Sequence, residues 1–523
     1  MSCDNPAASV KEDEMLRRPK FDKSRDCVKC KENRGNIVVR HAVFCKACFF
    51  PFVTAKFKRA LDPYINEKPD ASRRKTLKAS GNLLLGFSGG LGSTVLLDIV
   101  NESYLSRTSS TRGGKNHPRN DQVWDKIYVC YVETSSAISG NEKDRTEEVR
   151  SVLKQYENID LILLRIEDAF DPGWWAHNGG DAVNMNLGLD MSNEDLSIST
   201  RSDLQSTTPV EALRLYLSSL PTPTAIATSI QVLVRRLLLQ TAQAIGSSHL
   251  LLGTSLTSLS IAHISSVAQG GGFFVREEAQ EEWAPFAPSS SLAEEQTGNR
   301  RVRIIRPLKD VGMKECGVWA WWRGLHVVGR IRYLGGKHGI GSLTRDFIIG
   351  LEADYPSTVS SIARTCAKVT TKEEPGGRCA ICDRPSERDV EGWKSRISIR
   401  DYSELVDSDL PPHLRDRQPS TTNRPRTDTD IHQHKLTPRL CYSCHTTLLS
   451  KSSRGPPLVF TNGTSRSDDL VPLPVWVIAR LQTTTDSLIK EEQIMENEEI
   501  WHSVKMDQTS MKETIGRFLL TDD

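Results

Sequence analysis

Residues 82–100 read Asn82-Leu83-Leu84-Leu85-Gly86-Phe87, then Ser88-Gly89-Gly90-Leu91-Gly92-Ser93, then Thr94-Val95-Leu96-Leu97-Asp98-Ile99-Val100. The short apolar run predicts a buried strand, and the apolar stretch beyond the serine/glycine turn predicts the start of a helix. Strand, turn and helix together make an anion cradle. Its glycines let the backbone come close, and the free N–H groups of the first helical turn point at the ligand with the favourable end of the dipole. The spacing matches neither the GxxxxGK(S/T) of a Walker loop nor the GxGxxG of a dinucleotide turn.

Outward from this loop, short apolar runs alternate with helical patterns from residue 81 to about 365. Strands are expected at 82–87, 126–132, 160–166, 248–253 and 302–306, and helices at 92–103, 142–156, 209–219, 228–245, 255–268 and 311–325. That alternation predicts βαβ units, and hence an α/β domain with a mostly parallel sheet. Three polar inserts, 104–122, 177–208 and 278–300, hold too little apolar content to fold alone and read as surface loops or disorder. Residues 1–26 read as a disordered lead, and 27–60 as a compact basic module with paired cysteines. A second cysteine-paired module with a long polar loop is expected at 374–480, and a polar helical tail at 484–523.

The chain has 523 residues and a formal net charge of +2, so any nucleic-acid surface must be a local patch. No run of about 18 apolar residues occurs, and residues 1–20 have no apolar core like that of a signal peptide. A cytoplasmic protein with no membrane partner is expected. Eight of the twelve cysteines fall into four CxxC pairs, which in a chain without a signal peptide favours metal over disulfides. Cys27, Cys30, Cys45 and Cys48 are two pairs separated by fourteen residues, a spacing that predicts a closed structural Zn²⁺ site with four sulfur ligands. Cys379, Cys382, Cys441 and Cys444 could form a second such site across a gap of fifty-eight residues, with His445 able to replace one sulfur. Reduced or redox pairs and an iron–sulfur cluster are the alternatives.

Between residues 17 and 59 there are thirteen Lys/Arg against three Asp/Glu. Arg40, Lys46, Lys56, Lys58 and Arg59 are interleaved there with phenylalanines. Such a patch suits phosphate contact with stacking on unpaired bases, unless the rings instead pack around a metal core. Arg235 and Arg236 fit either an anion-facing helix edge, holding an RNA phosphate or a carboxylate across a subunit boundary, or the solvent face of an amphipathic helix.

The Ser88, Gly89, Gly90, Gly92, Ser93 loop resembles the SGGxDS loop of the PP-loop ATP-pyrophosphatase superfamily, with Gly92 at the aspartate position. Together with Leu252-Gly253-Thr254-Ser255, Ile305-Arg306-Pro307-Leu308-Lys309, Asp354-Tyr355-Pro356-Ser357-Thr358-Val359 and the cysteine pairs, the chain resembles the cytoplasmic tRNA 2-thiolation protein 2 family. That resemblance implies a degenerate PP-loop sheet with helices on both faces and a heterodimer with a catalytic PP-loop subunit. It also implies 2-thiolation of the wobble uridine in tRNAs for Lys, Glu and Gln, with sulfur from a thiocarboxylated ubiquitin-related modifier. Protein conjugation by that modifier belongs to the same pathway. Where the catalytic subunits resemble CxxCGxxRR, this chain has Thr228 and Gln231 in place of the cysteines and keeps the arginines. Where they have GHNxDD, it reads Gly253-Thr254-Ser255-Leu256-Thr257-Ser258.

Adenylation needs Mg²⁺ on hard oxygen ligands, and sulfur transfer needs a thiolate. The missing acids and thiols therefore predict a non-catalytic subunit and count against ATP. A self-sufficient adenylating sulfurtransferase would need Asp98 or Glu133 to stand in for the lost carboxylate. A zinc adaptor that binds only proteins is the third class.

Overall fold

The computed structural model describes residues 26–40, 42–65, 81–105, 123–137, 143–183, 187–191, 196–200, 207–279, 281–284, 301–329, 339–369, 375–390, 434–450 and 470–482. Two compact units divide the chain, Met1–Ala479 and Arg480–Asp523, and every element named here lies in the first. The lead expected at 1–26, apart from Asp26, and the tail expected at 484–523 fall outside the described residues.

A hairpin of β1 (Ile37–Val39) and β2 (Ala42–Phe44) leads into the twenty-residue helix α1 (Lys46–Ile65). Next come β3 (Asn82–Gly86), α2 (Leu91–Val100), β4 (Ile127–Glu133), α3 (Thr146–Leu153) and β5 (Asp160–Arg165). α4 (Pro172–His177) precedes two short strands, β6 (Leu187–Leu189) and β7 (Ser197–Thr200). α5 (Pro209–Ser219) starts with a Thr208/Glu211 capping box, and α6 (Pro223–Ala244) with Thr222 capping the Ala225 N–H. β8 (Ser247–Leu252), α7 (Leu256–Ala268), β9 (Glu281–Trp283), β10 (Val302–Ile305) and α8 (Met313–Arg323) complete the α/β body.

The central sheet has the order β5-β4-β3-β8-β10-β9, parallel throughout except for the antiparallel edge strand β9. Leu83, Leu84 and Leu85 of β3 are fully buried, as a central parallel strand with both faces covered requires. Leu83, Leu85, Val129 and Leu251 share one core with α1, α2, α3 and α8. Gly86 opens the other face, where an added Cβ would lie 2.8 Å from Leu252 and 3.4 Å from Leu238 of α6. Helices thus cover both faces. Strand order reverses at β3, with β4 added on one side and β8 on the other. That switch point is where open α/β sheets bind ligands, at the carboxyl ends of the strands.

Two expectations need correction. The cysteine module at 27–60 is not set apart, because Cys27, Phe44, Phe49 and Phe57 belong to the same core as the sheet. The polar insert at 177–208 contributes β6 and β7, and these pair with segments from the far end of the chain. With β13 (His434–Lys435) and β14 (Val471–Pro472) they form a four-stranded antiparallel sheet of order β13-β7-β6-β14. The insert at 278–300 likewise supplies β9 and its buried Trp283. α9 (Ile340–Asp354) and α10 (Pro356–Cys366) pack on α7, and the short pair β11 (Gly377–Arg378) and β12 (Pro385–Ser386) brackets the third CxxC. α11 (Tyr442–Leu449) carries the last cysteine.

Candidate functional site

The Ser88–Ser93 loop and Gly253 leave the adjacent strands β3 and β8, so both stand at the switch point. Gly89 has φ +68°, a left-handed backbone that glycine adopts without strain. The Ser93 hydroxyl donates to the Gly90 carbonyl at 2.9 Å and accepts from the Ser88 N–H at 3.3 Å. Thr94 Oγ1 donates to the same Gly90 carbonyl at 3.1 Å. The turn is therefore cinched by its own side chains.

β8 comes close to the start of α2 at this point. A Cβ on Gly92 would lie 2.0 Å from the Gly253 carbonyl oxygen, and one on Gly253 would lie 2.4 Å from the Ser93 nitrogen. Two glycines meet backbone to backbone, so neither position has room for a side chain. On the other side, the Gly329 N–H donates to the Gly89 carbonyl at 3.0 Å, and Val328 lies 3.1 Å from the place of a Gly89 Cβ. Arg145 fixes that segment by donating to the Val328 carbonyl at 3.1 Å.

Neither candidate carboxylate is free for a metal. Asp98 Oδ2 accepts from Trp319 Nε1 at 2.8 Å and Arg323 Nε at 3.1 Å. Glu133 Oε1 accepts from the N–H groups of Thr134 and Ser135, both at 2.8 Å. Its Oε2 accepts from the Tyr131 hydroxyl at 2.9 Å and the Arg145 N–H at 3.1 Å. Thr228, at a cysteine position of the catalytic pattern, donates its hydroxyl to Gln269 at 2.6 Å.

Each expected sulfur quartet is assembled, with all four Sγ atoms within 4.8 Å of one another. Cys30 and Cys45 have sulfurs 3.8 Å apart, and Cys382 and Cys441 3.7 Å. A tetrahedral ion with bonds of about 2.3 Å needs sulfurs roughly 3.8 Å apart, so both quartets fit one metal ion. In the first, burial opposes ionisation of Cys27, but N–H groups from Cys30, Cys45 and Lys29 outweigh it and hold the thiol down to about 6. Burial and the neighbouring sulfurs push Cys48 up to about 12. Four crowded thiols resist ionising together, and a cation removes that conflict. The second quartet is wholly buried, with Cys441 at the N-cap of α11 and Cys444 in its first turn.

Arg235 and Arg236 lie elsewhere than expected. Arg235 is half-buried and Arg236 buried on α6, and both clasp the turn that carries the second quartet. Arg235 donates to the Cys382 carbonyl at 2.6 Å and pairs with Glu281. Arg236 is 3% exposed, pairs with Asp383 and lies between the rings of Trp283 and Trp476, 5.6 and 5.4 Å from their centroids. Asp383, 0% exposed, also accepts from Trp283 Nε1. Burial lowers Arg235 to about 9, still protonated at neutral pH. Neither guanidinium faces a solvent-borne anion. A residue pair at i and i+1 with neighbours 147 positions away leaves no local signal.

In the basic module, Lys46, Lys58 and Arg59 are exposed. Lys56 instead pairs with Glu315 at 2.7 Å over the Phe52 ring, and Arg40 donates to Ser360 at 3.3 Å. The phenylalanines pack inward. Phe49 meets Trp322 edge-on at 5.2 Å, and Phe50 meets Trp319 at 4.8 Å. Those rings hold α1 to α8 rather than offering faces to bases.

Among the described residues no helix is long and apolar enough to cross a membrane. The sequence model of the cytoplasmic tRNA 2-thiolation protein 2 family matches residues 339–446. A zebrafish (Danio rerio) protein of that name is 25% identical over 399 residues, covering 69% of this chain and 72% of its own. Its Xenopus laevis counterpart 2-A is 25% identical, covering 74% and 77%, and the human (Homo sapiens) protein 24%, covering 70% and 72%. Among solved structures the chain is similar to the U34-tRNA thiolase NcsA from Methanococcus maripaludis with its 4Fe–4S cluster. That likeness has 16% identity and a TM-score of 0.41, covering 67% of this chain and 89% of that one.

Proposed function

The chain belongs to the cytoplasmic tRNA 2-thiolation protein 2 family, and from that premise we propose that it is the non-catalytic subunit of a cytoplasmic wobble-uridine thiolating heterodimer. Its α/β body is a PP-loop sheet that has lost the nucleotide. A catalytic PP-loop partner supplies the chemistry, with sulfur from a thiocarboxylated ubiquitin-related modifier, and the products are 2-thiolated tRNAs for Lys, Glu and Gln. Conjugation of proteins by the modifier draws on the same sulfur supply.

The observation that carries this is the Gly92–Gly253 contact. Activating a carbonyl oxygen needs room for a nucleotide, carboxylates for its Mg²⁺ and a thiolate nucleophile. Here the Gly92–Gly253 contact leaves no place for a carboxylate side chain at position 92, Asp98 and Glu133 are engaged in hydrogen bonds, and Thr228 and Gln231 hold no sulfur. The chain's own part is to bind and orient. Lys46, Lys58 and Arg59 on the exposed side of α1 face tRNA phosphates, and the two quartets, each holding Zn²⁺, fix both ends of the fold.

The test is reconstitution with and without the partner, reading sulfur on the anticodon base by mass spectrometry. Thiolation is expected only with both subunits present, and ATP-dependent thiolation by this chain alone defeats the proposal. Elemental analysis should find two zinc ions per chain. Iron with visible absorbance would overturn the metal assignment.

A further inference from the structure

β5 is one edge of the six-stranded sheet. Its main chain pairs with β4, and among the described residues no strand pairs with its other side. Its sequence, Asp160-Leu161-Ile162-Leu163-Leu164-Arg165, has four consecutive apolar residues, the first three half-buried, and no proline. Exposed edges are ordinarily blunted by proline, lysine, a bulge or a covering element, because their unpaired N–H and C=O groups invite another strand. The opposite edge is treated that way, with Arg378 reaching over β9 to the Glu282 carbonyl at 3.5 Å.

At the carboxyl end of β5 a cavity of about 550 Å³ opens. Its walls include four carboxylates, Glu133, Asp144, Glu147 and Asp168, against two guanidiniums, Arg150 and Arg165. Both guanidiniums already have partners, Arg150 with Glu147 at 3.5 Å and Arg165 with Asp144 at 4.0 Å. Burial pushes the Asp168 carboxyl up and Glu167 and Asp171 add to that push, while the Arg165 N–H, donating to it at 2.8 Å, and the Arg165 charge oppose it in part. A cation entering from outside would relieve it.

We propose that the free edge of β5 receives an extended strand of the catalytic subunit, which continues the sheet across the subunit boundary and seats a lysine or arginine in the acidic cavity. The hydrogen-bonding groups of an open edge select a strand as the occupant, and the surplus of carboxylates selects its charge. Main-chain pairing gives the affinity and the cavity gives the specificity. This deepens the heterodimer reading above and rests on it.

The test uses the full-length chain co-expressed with the PP-loop thiolation subunit of the same organism. Hydrogen exchange of the amides at 160–165 should slow at least tenfold in the complex. Ile162→Lys on the strand, and separately Asp144→Lys with Glu147→Lys at the exposed cavity rim, should each weaken binding at least tenfold. The rim variant loses the Asp144 carboxylate that accepts the Thr146 N–H at 2.8 Å, so its thermal midpoint should fall by a few degrees and binding is compared well below that midpoint. Unchanged exchange at 160–165 in a formed complex, or unchanged binding by both variants, overturns the inference while leaving the heterodimer standing. A wild-type chain that does not bind the subunit overturns the functional reading, and this inference with it. If light scattering shows the wild type pairing with itself through this edge and Ile162→Lys monomeric, the occupant is a second copy and the assignment is wrong.

Discussion

Gly92 occupies the second position of α2, where alanine is ordinarily better than glycine by about 1 kcal/mol because it loses less backbone entropy. Helix propensity alone therefore predicts that Gly92→Ala stabilises. The contact with Gly253 predicts the reverse. The new Cβ would sit 2.0 Å from a carbonyl oxygen, whereas carbon and oxygen settle at about 3.3 Å, so β8 and α2 must part by roughly 1 Å. The obstacle is backbone rather than a flexible side chain, which puts the cost at the upper end of overpacking, about 3 kcal/mol. The net loss is then about 2 kcal/mol for alanine, or roughly 2 °C in thermal midpoint for a chain of this length, and more for Gly92→Asp. Thermal unfolding followed by near-ultraviolet circular dichroism reads the sign, and calorimetry with Mg²⁺ and ATP tests whether Gly92→Asp restores a site. A stabilising alanine, or an aspartate variant that binds nucleotide, would refute the claim that the Gly253 backbone excludes a side chain at position 92.

Three further outcomes follow from the same coordinates. Arg236→Met or Asp383→Asn alone should cost about 3–5 kcal/mol by stranding a buried partner, whereas the double variant should recover more than half of that in a denaturant titration. His249 is a neutral imidazole: Nδ1 faces Trp124 Nε1–H at 3.4 Å and the Ser248 hydroxyl at 2.7 Å, and Nε2 donates to the Tyr64 carbonyl at 3.2 Å. Burial lowers it to about 4, so the unfolded chain binds the proton first. Stability is then full above pH 6.5 and falls by up to about 3 kcal/mol as pH drops towards 4, a loss that His249→Gln should flatten in midpoint-against-pH curves. Charge reversal of Lys46, Lys58 and Arg59 should weaken tRNA binding and reduce its salt slope, while Lys56→Gln should act on stability through Glu315 and leave that slope unchanged in filter-binding titrations.

The parallel strands are legible in the sequence because central strands have no solvent face. Leu83-Leu84-Leu85 and Tyr128-Val129-Cys130-Tyr131-Val132 read as short apolar runs wherever they occur. α1 is not legible, since Pro51 and Pro63 punctuate it and the cysteine pair draws attention to metal instead. β6 and β7 hide in a polar insert because their partners, β13 and β14, arrive more than two hundred residues later. The cysteine quartets are legible since two ligands on one turn leave a local signature, and the second brings its pairs together across a gap of fifty-eight residues. Arg235 and Arg236 show the limit. Charge on a helix looks like surface until the buried Asp383 and Glu281 that neutralise it come into place.

The clip formed by Cys379, Cys382, Cys441 and Cys444 separates chain length from architecture. Four sulfurs on one ion close a loop between Cys382 and Cys441, and each doubling of such a loop's length adds only about 0.6 kcal/mol of closure cost. A fluorescent reporter or affinity handle spliced in between positions 390 and 434 therefore lengthens that loop without altering the four metal ligands or the strands β12 and β13.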